Sequence, residues 1–201
     1  MRRTLLALSS LLLPLTLAGC GETTGKPVPA PEKPAPESTH TPAAAPDQPE
    51  PPAAAESLLP FDALPIVSGG RESWTDCPYL DTQWIAETNG QRVTGVGTDE
   101  RFTPPACVYW SYPEEPQLTV IVRHMDTIAD ATAVVDWAAP VASTDPAEEP
   151  AGWSGGRFGG NGHSVYAVQK GKTAVVVFSN QEQSIKPQIV AEEVINRLDL
   201  G

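Results

Sequence analysis

Large apolar residues are unevenly spread along this chain. They crowd residues 5–17, almost vanish over 21–57, and return at Leu58-Leu59-Pro60-Phe61. From there to Gly201 the apolar positions follow two periods, one helical and one extended. Over 76–90 (DCPYLDTQWIAETNG) Leu80, Trp84 and Ile85 fall on one face of a helix. Asp76 or Cys77 is placed to cap it, Pro78 suits its first turn, and Asn89-Gly90 ends it. A second helix is predicted from Thr127 to Ala138, where Ile128, Ala131, Val134, Val135 and Ala138 recur at helical spacing. There Thr127 and Asp130 form a capping pair, and Pro140 stops the run. A third runs from Pro187 to Leu200, with Ile189, Val190, Val194, Ile195 and Leu198 on one side.

Extended runs lie between these helices. Residues 106–112 (ACVYWSY) and 118–125 (LTVIVRHM) are rich in β-branched and aromatic side chains, and the turn PEEP at 113–116 joins them as a hairpin. HSVYAVQ (163–169) and TAVVVFS (173–179) form a second hairpin around Lys170-Gly171. RVTGVG at 92–97 reads as a short strand weakened by glycine. Residues 140–152 read as loop. Residues 152–162 (GWSGGRFGGNG) read as a mobile, glycine-rich surface loop. Short turns between strands imply a mainly antiparallel sheet with helices packed on it, an α+β domain. The expectation is four to five strands and about three helices.

Upstream of Leu58 the sequence describes an address. Arg2 and Arg3 precede an apolar stretch, Leu5 to Leu17, that is too short to span a bilayer. That arrangement is the form of an export signal over residues 1–19. Leu17-Ala18-Gly19-Cys20 resembles the lipobox of bacterial lipoproteins, which implies acylation of Cys20 and a membrane anchor through that lipid. Residues 20–57 are then the lipidated cysteine and a tether of proline, alanine, glutamate and threonine, too poor in apolar surface to offset its ordering entropy. Proline at this density favours extended polyproline II, with a reach on the order of 100 Å. Residues 58–201 are the single extracytoplasmic domain. Its two remaining cysteines, Cys77 and Cys107, are an even pair in an exported domain and are read as a disulfide.

Charge removes one class of partner. Residues 58–201 carry 19 Asp and Glu against 9 Lys and Arg. No basic run supplies the clustered Lys and Arg that phosphate contacts require, so nucleic acid is not an expected partner. Catalytic signatures fail on context. Gly152-Trp153-Ser154-Gly155-Gly156 has the form of a nucleophile elbow, but neither a strand before Ser154 nor a helix after it can be read. Lys170-Gly171-Lys172-Thr173 lacks the glycine a phosphate loop needs at 166, where Tyr166 stands. His124 and His163 have no spacing that pre-arranges a metal site. No catalytic residue, metal or cofactor is therefore assigned.

Binding is the remaining theme. Tyr109 and Trp110 point to opposite faces of one strand, so Trp110 is a candidate to face a partner. Trp153, Arg157 and Phe158 in the glycine-rich run are residue types enriched at binding hot spots.

The stretches CPYLDTQW, PACVYWSYPEEPQLTV and AVVDWAAP resemble those of an actinobacterial lipoprotein family whose C-terminal domain has no assigned function. The resemblance covers most of 60–200 and implies an envelope location and a disulfide. More loosely, the element order is similar to domains with a PsbP-like α/β/α build. Together these readings predict a non-catalytic binding or adaptor domain, anchored by lipid and facing an envelope protein or cell-wall component. The alternative is a carrier of a small or lipidic ligand in a pocket between sheet and helix. A hydrolase is the weaker alternative.

Overall fold

A computed structural model describes residues 58–201. The signal, Cys20 and the tether lie outside the described residues. The strands are β1 (Gly95–Asp99), β2 (Ala106–Trp110), β3 (Pro116–His124), β4 (Asp145–Ala147), β5 (Ser154–Gly160), β6 (His163–Lys170) and β7 (Thr173–Ser179). They form one antiparallel sheet in the order β1-β2-β3-β7-β6-β5-β4. Three helices pack on it: α1 (Thr82–Asn89), α2 (Ile128–Ala138) and α3 (Ile185–Arg197).

Seven strands replace the expected four to five. The two hairpins lie where they were read, and β6 and β7 pair from Ser164 with Ser179 to Lys170 with Thr173. The additional strands come from segments read as loop. β5 is the glycine-rich run itself, paired along its whole length with β6, and β4 adds three residues beyond it. The glycines of β5 serve packing. A Cβ on Gly159 would collide with the backbone carbonyl of Glu182, and one on Gly156 would press into Ala139 and Thr144. Composition reads as loop here because the strand has few side chains to show a period, while β6 supplies the ladder.

The helices obey their local signals with shifts in two: α1 starts later than read, and α3 runs Ile185–Arg197 in place of Pro187 to Leu200. Gly90, at φ 73°, ends α1 as predicted. Its start is later than Asp76 or Cys77: Asp81 is the cap, and its carboxylate accepts the Trp84 N–H at 2.8 Å. Residues 77–80 are drawn instead into the core, where Cys77, Tyr79 and Leu80 are buried. The Thr127 hydroxyl accepts the Asp130 N–H and donates to its carboxylate, the reciprocal cap expected for α2. Pro187 sits in the first turn of α3, where its missing N–H costs nothing.

Alternation along the strands gives the sheet two apolar faces. Leu118, Val120, Val122, Tyr166, Val168, Val175 and Val177 point to one, which α1 and α3 cover with Ile85, Val190, Ala191, Val194 and Ile195. Ile121, Val165, Ala167, Ala174 and Val176 point to the other. That second face has two covers. Over β5 to β7 lies α2, through Ala131, Val134 and Val135. Over β1 to β3 lies an irregular strap, residues 58–75. Arg123, fully buried, donates from its guanidinium to the carbonyls of Leu59 and Pro60, and its charge lies over the Phe102 ring at 5.6 Å. Further along, Ser73 and Thr75 exchange backbone bonds with Val96 and so close the β1 edge.

A buried polar network fixes one end of the sheet. The Asn89 amide donates to Gln117 Oε1 at 3.0 Å, and the Ser179 hydroxyl donates to Asn89 Oδ1 at 2.8 Å. The carbonyl of Asn89, left over at the end of α1, accepts the Lys186 ammonium at 2.7 Å. It thereby joins α1, β3, β7 and α3 at the end of the sheet where the second face is left partly bare.

Candidate ligand-binding cleft

The bare part of the second face lies between its two covers. Helix α2 has 11 residues and spans about 16 Å. It ends at Ala138, before the sheet does, and Pro140 follows. The strap passes on the far side, with Leu64 at its rim. The gap is a cleft of about 650 Å³. Its floor is Thr119 of β3 and Phe178 of β7, and one wall is Trp137 and Ala138 of α2. Pro113 and Glu115 of the β2–β3 turn, with Pro116 at the start of β3, close one end, and Gly162 of the β5–β6 turn, with His163 at the start of β6, the other. Trp137 and Phe178 are both half-buried and meet edge to face at a centroid distance of 5.8 Å, an arrangement aromatic pairs favour. Polar residues are few: Thr119 in the floor, and Glu115, His163, Ser179 and Asn180.

The predicted binding residues are not brought together. Trp153 is 3% exposed and packs in the core on the α1 and α3 side. Trp110 is 7% exposed, beside Gly95 on the β1 side of the sheet. Neither ring is free to face a partner, since each is buried within the domain rather than at its surface. Arg157 and Phe158 are neighbours on β5 and so point to opposite faces. Arg157 is exposed beside Glu148, Glu149 and Tyr166, in a small polar cleft where the Tyr166 hydroxyl donates to the Glu149 carbonyl at 2.6 Å. Phe158 is half-buried on the α2 side, its ring 5.2 Å from that of His163.

Sequence reasoning missed Trp137 and Phe178 as a pair. Each stands in an element read correctly, but their meeting depends on β7 lying beside β3 and under α2, and spacing along the chain does not report that. Register also parts the histidines. His124 is level with Thr173 at one end of the sheet, and His163 begins β6 at the other. Among the described residues, no group of three or more His, Cys, Asp or Glu is placed to hold a metal ion. Ser154 begins a strand rather than an elbow, and Gly171-Lys172 forms the tight β6–β7 turn.

The disulfide is present between Cys77 and Cys107, with Cα atoms 5.7 Å apart. It ties the segment before α1 to β2. Around it, burial pushes the Tyr79 and Tyr109 hydroxyls well above the ordinary phenol value. Both remain neutral donors, to the carbonyls of Pro105 and Leu80 respectively. Among the described residues no helix is long and apolar enough to cross a membrane.

These features define an α+β domain with helices on both faces of a seven-stranded antiparallel sheet and one apolar cleft under the end of a helix. Residues 59–200 match a family described as a domain of unknown function, DUF2020, and the chain belongs to that family. No curated protein shows significant similarity to the chain.

Proposed function

We propose that this chain is a lipid-anchored lipoprotein of the cell envelope, of the actinobacterial kind its sequence resembles, and that its domain carries a small apolar or lipidic ligand. The observation that carries this reading is the cleft of about 650 Å³ lined by Trp137, Phe178, Leu64, Pro113 and Pro116. Its size is that of small-molecule sites, which are concave, mostly apolar and edged by a few polar groups. Anchoring through Cys20 and a proline-rich tether would keep such a carrier at the membrane surface, where apolar molecules must be shielded from water in transit. The helix-sheet-helix layering supports the PsbP-like likeness as an analogy of fold, which assigns no activity.

A protein-binding adaptor is the second reading. Trp74 and Tyr112 are 61% and 69% exposed, and Arg71 between them holds the carbonyls of Ser111 and Tyr112. Exposed aromatic residues beside arginine are the composition of protein-binding hot spots.

Native mass spectrometry separates the two readings. The chain from residue 20 onward, carrying Cys20→Ser so that no detergent is needed, is incubated with an envelope lipid extract. The carrier predicts a bound apolar mass that Trp137→Ala loses and Trp74→Ala keeps, both variants remaining folded. No bound mass in the parent chain, or equal capture by Trp137→Ala, overturns it.

A further inference from the structure

A second, smaller cleft of about 230 Å³ lies beside the first, lined by Ala138, Pro140, Ser143, Thr144, Phe158, His163 and Val165. Ala138 and His163 belong to both linings. The two clefts thus meet at one methyl group and one imidazole. The imidazole is lightly held. His163 is exposed, its Nδ1 stands 3.4 Å from the Asn161 carbonyl, and its ring leans on Phe158 at 40°. It is the first residue of β6, next to a tight turn with Asn161 at φ 54° and Gly162 at φ 81°, and lies outside the core. Turning the ring aside breaks only its contact with the half-buried Phe158 and the long bond to Asn161.

We propose that the two clefts are one groove, that it takes a linear hydrocarbon chain bearing an uncharged polar head, and that His163 is the divider the chain displaces. This rests on the carrier reading and names its ligand class. Shape is the first argument. The groove starts at the β2–β3 turn, runs along the Trp137–Phe178 pair, rounds the end of α2 at Ala138 and finishes against Phe158 and Val165. It thus crosses from β3 over β7 and β6 to β5, three strand spacings or about 14 Å. A narrow path of that length, bent around a helix end, suits a flexible chain and leaves a compact ring in contact with only one half.

Charge is the second argument. No Lys or Arg lines either cleft. Glu115 stands in the wall of the larger one, and Glu182 holds the backbone N–H of Gly162 at 2.7 Å beside the divider. A carboxylate or phosphate head would meet these acids with no cation to offset them. An uncharged head meets the Asn180 amide at the open end instead, which donates one N–H to Gln91 and accepts one bond from Gln181 and so keeps a second N–H and a second lone pair. In the smaller cleft the hydroxyls of Ser143 and Thr144 already donate to the carbonyls of Ala139 and Pro140, so that end offers mainly apolar surface.

The test is calorimetric titration of the chain from residue 20 onward, with Cys20→Ser, against a homologous series of n-alkanols. Affinity should climb by up to about fourfold per added methylene and then level off once the groove is full. Ser143→Trp, an exposed position at the far end, should bring the plateau to a shorter chain while leaving short alkanols unaffected. His163→Ala should strengthen binding of the longer alkanols only. A fatty acid should bind more weakly than the alkanol of equal length. An unchanged length profile in both variants overturns the joined groove while the carrier reading stands. Binding of the acid as tight as the alkanol overturns the uncharged head. Capture of an envelope lipid without binding of any alkanol rejects the linear chain alone, whereas failure of both experiments rejects the carrier as well.

Discussion

The carboxylate of Asp99, at the end of β1, accepts the backbone N–H of Ile66 at 2.7 Å across 33 positions of chain. The same carboxylate takes the Arg101 guanidinium at 2.6 Å. Together they hold the strap against the sheet near Leu64, whose carbonyl also accepts from Arg101, and so set one rim of the cleft. Burial raises the Asp99 pKa. The Arg101 side chain, the backbone N–H groups of Ile66 and Arg101, and the guanidinium charge outweigh that and hold it below the ordinary carboxyl value.

Removing this anchor should loosen the strap. Asp99→Ala is expected to cost about 2–3 kcal/mol, the scale of hydrogen bonds to a charged group plus a backbone donor left without its partner. Because the folded-state pKa is depressed, the contribution is complete above the ordinary value of 3.8 and is lost as pH falls through the lowered one. Urea melts of both proteins across acid pH check this. A gap between wild type and Asp99→Ala that widens on acidification would refute it.

The bridge between Cys77 and Cys107 closes a sequence separation of 30. Loop entropy places its contribution at about 3–4 kcal/mol. Both sulfurs are buried, so native alkylation without reductant should label neither, and reduction should lower the thermal midpoint clearly. Thiol counting by mass and a reduced-versus-oxidised melt read the two outcomes.

Trp153→Ala should behave as a core truncation and destabilise by about 3–5 kcal/mol. Arg157→Ala, exposed on the strand that follows, should leave stability within about 0.5 kcal/mol. Equal and small effects from both would place the indole outside the core.

Gly159→Ala tests β5 as a packed strand. The added methyl meets the Glu182 backbone, which belongs to the turn before α3 and has little room to shift. A loss of about 1–3 kcal/mol is expected from this overpacking. A freely moving loop would absorb the methyl without loss, and a denaturant melt distinguishes the two.

Cys20→Ser, outside the described residues, should abolish acylation and release the protein from the membrane fraction. Intact mass and fractionation of cells decide it, and tight membrane retention of a variant with no acyl mass would end the anchoring proposal.

The sequence by itself carried the local part of this protein. Gly90, the Thr127–Asp130 cap, Pro140 and the β6–β7 turn act through neighbours a few residues away, so their chemistry is legible in order along the chain. So is the alternation in Thr173–Ser179, because a strand buried on both faces shows its β-branched residues whatever lies beside it. Tertiary structure decided the rest. The run at 152–162 has too few side chains to show a period, and only the hydrogen-bonding edge of β6 makes it a strand. Cys77, Tyr79 and Leu80 could have opened a helix, but burial against the sheet and the bond to Cys107 hold them in an irregular bend and move the cap to Asp81. The cleft was beyond any reading of spacing. Trp137 and Phe178 are 41 positions apart, and they meet because a three-turn helix is shorter than the sheet it covers and the strap fills only the opposite half.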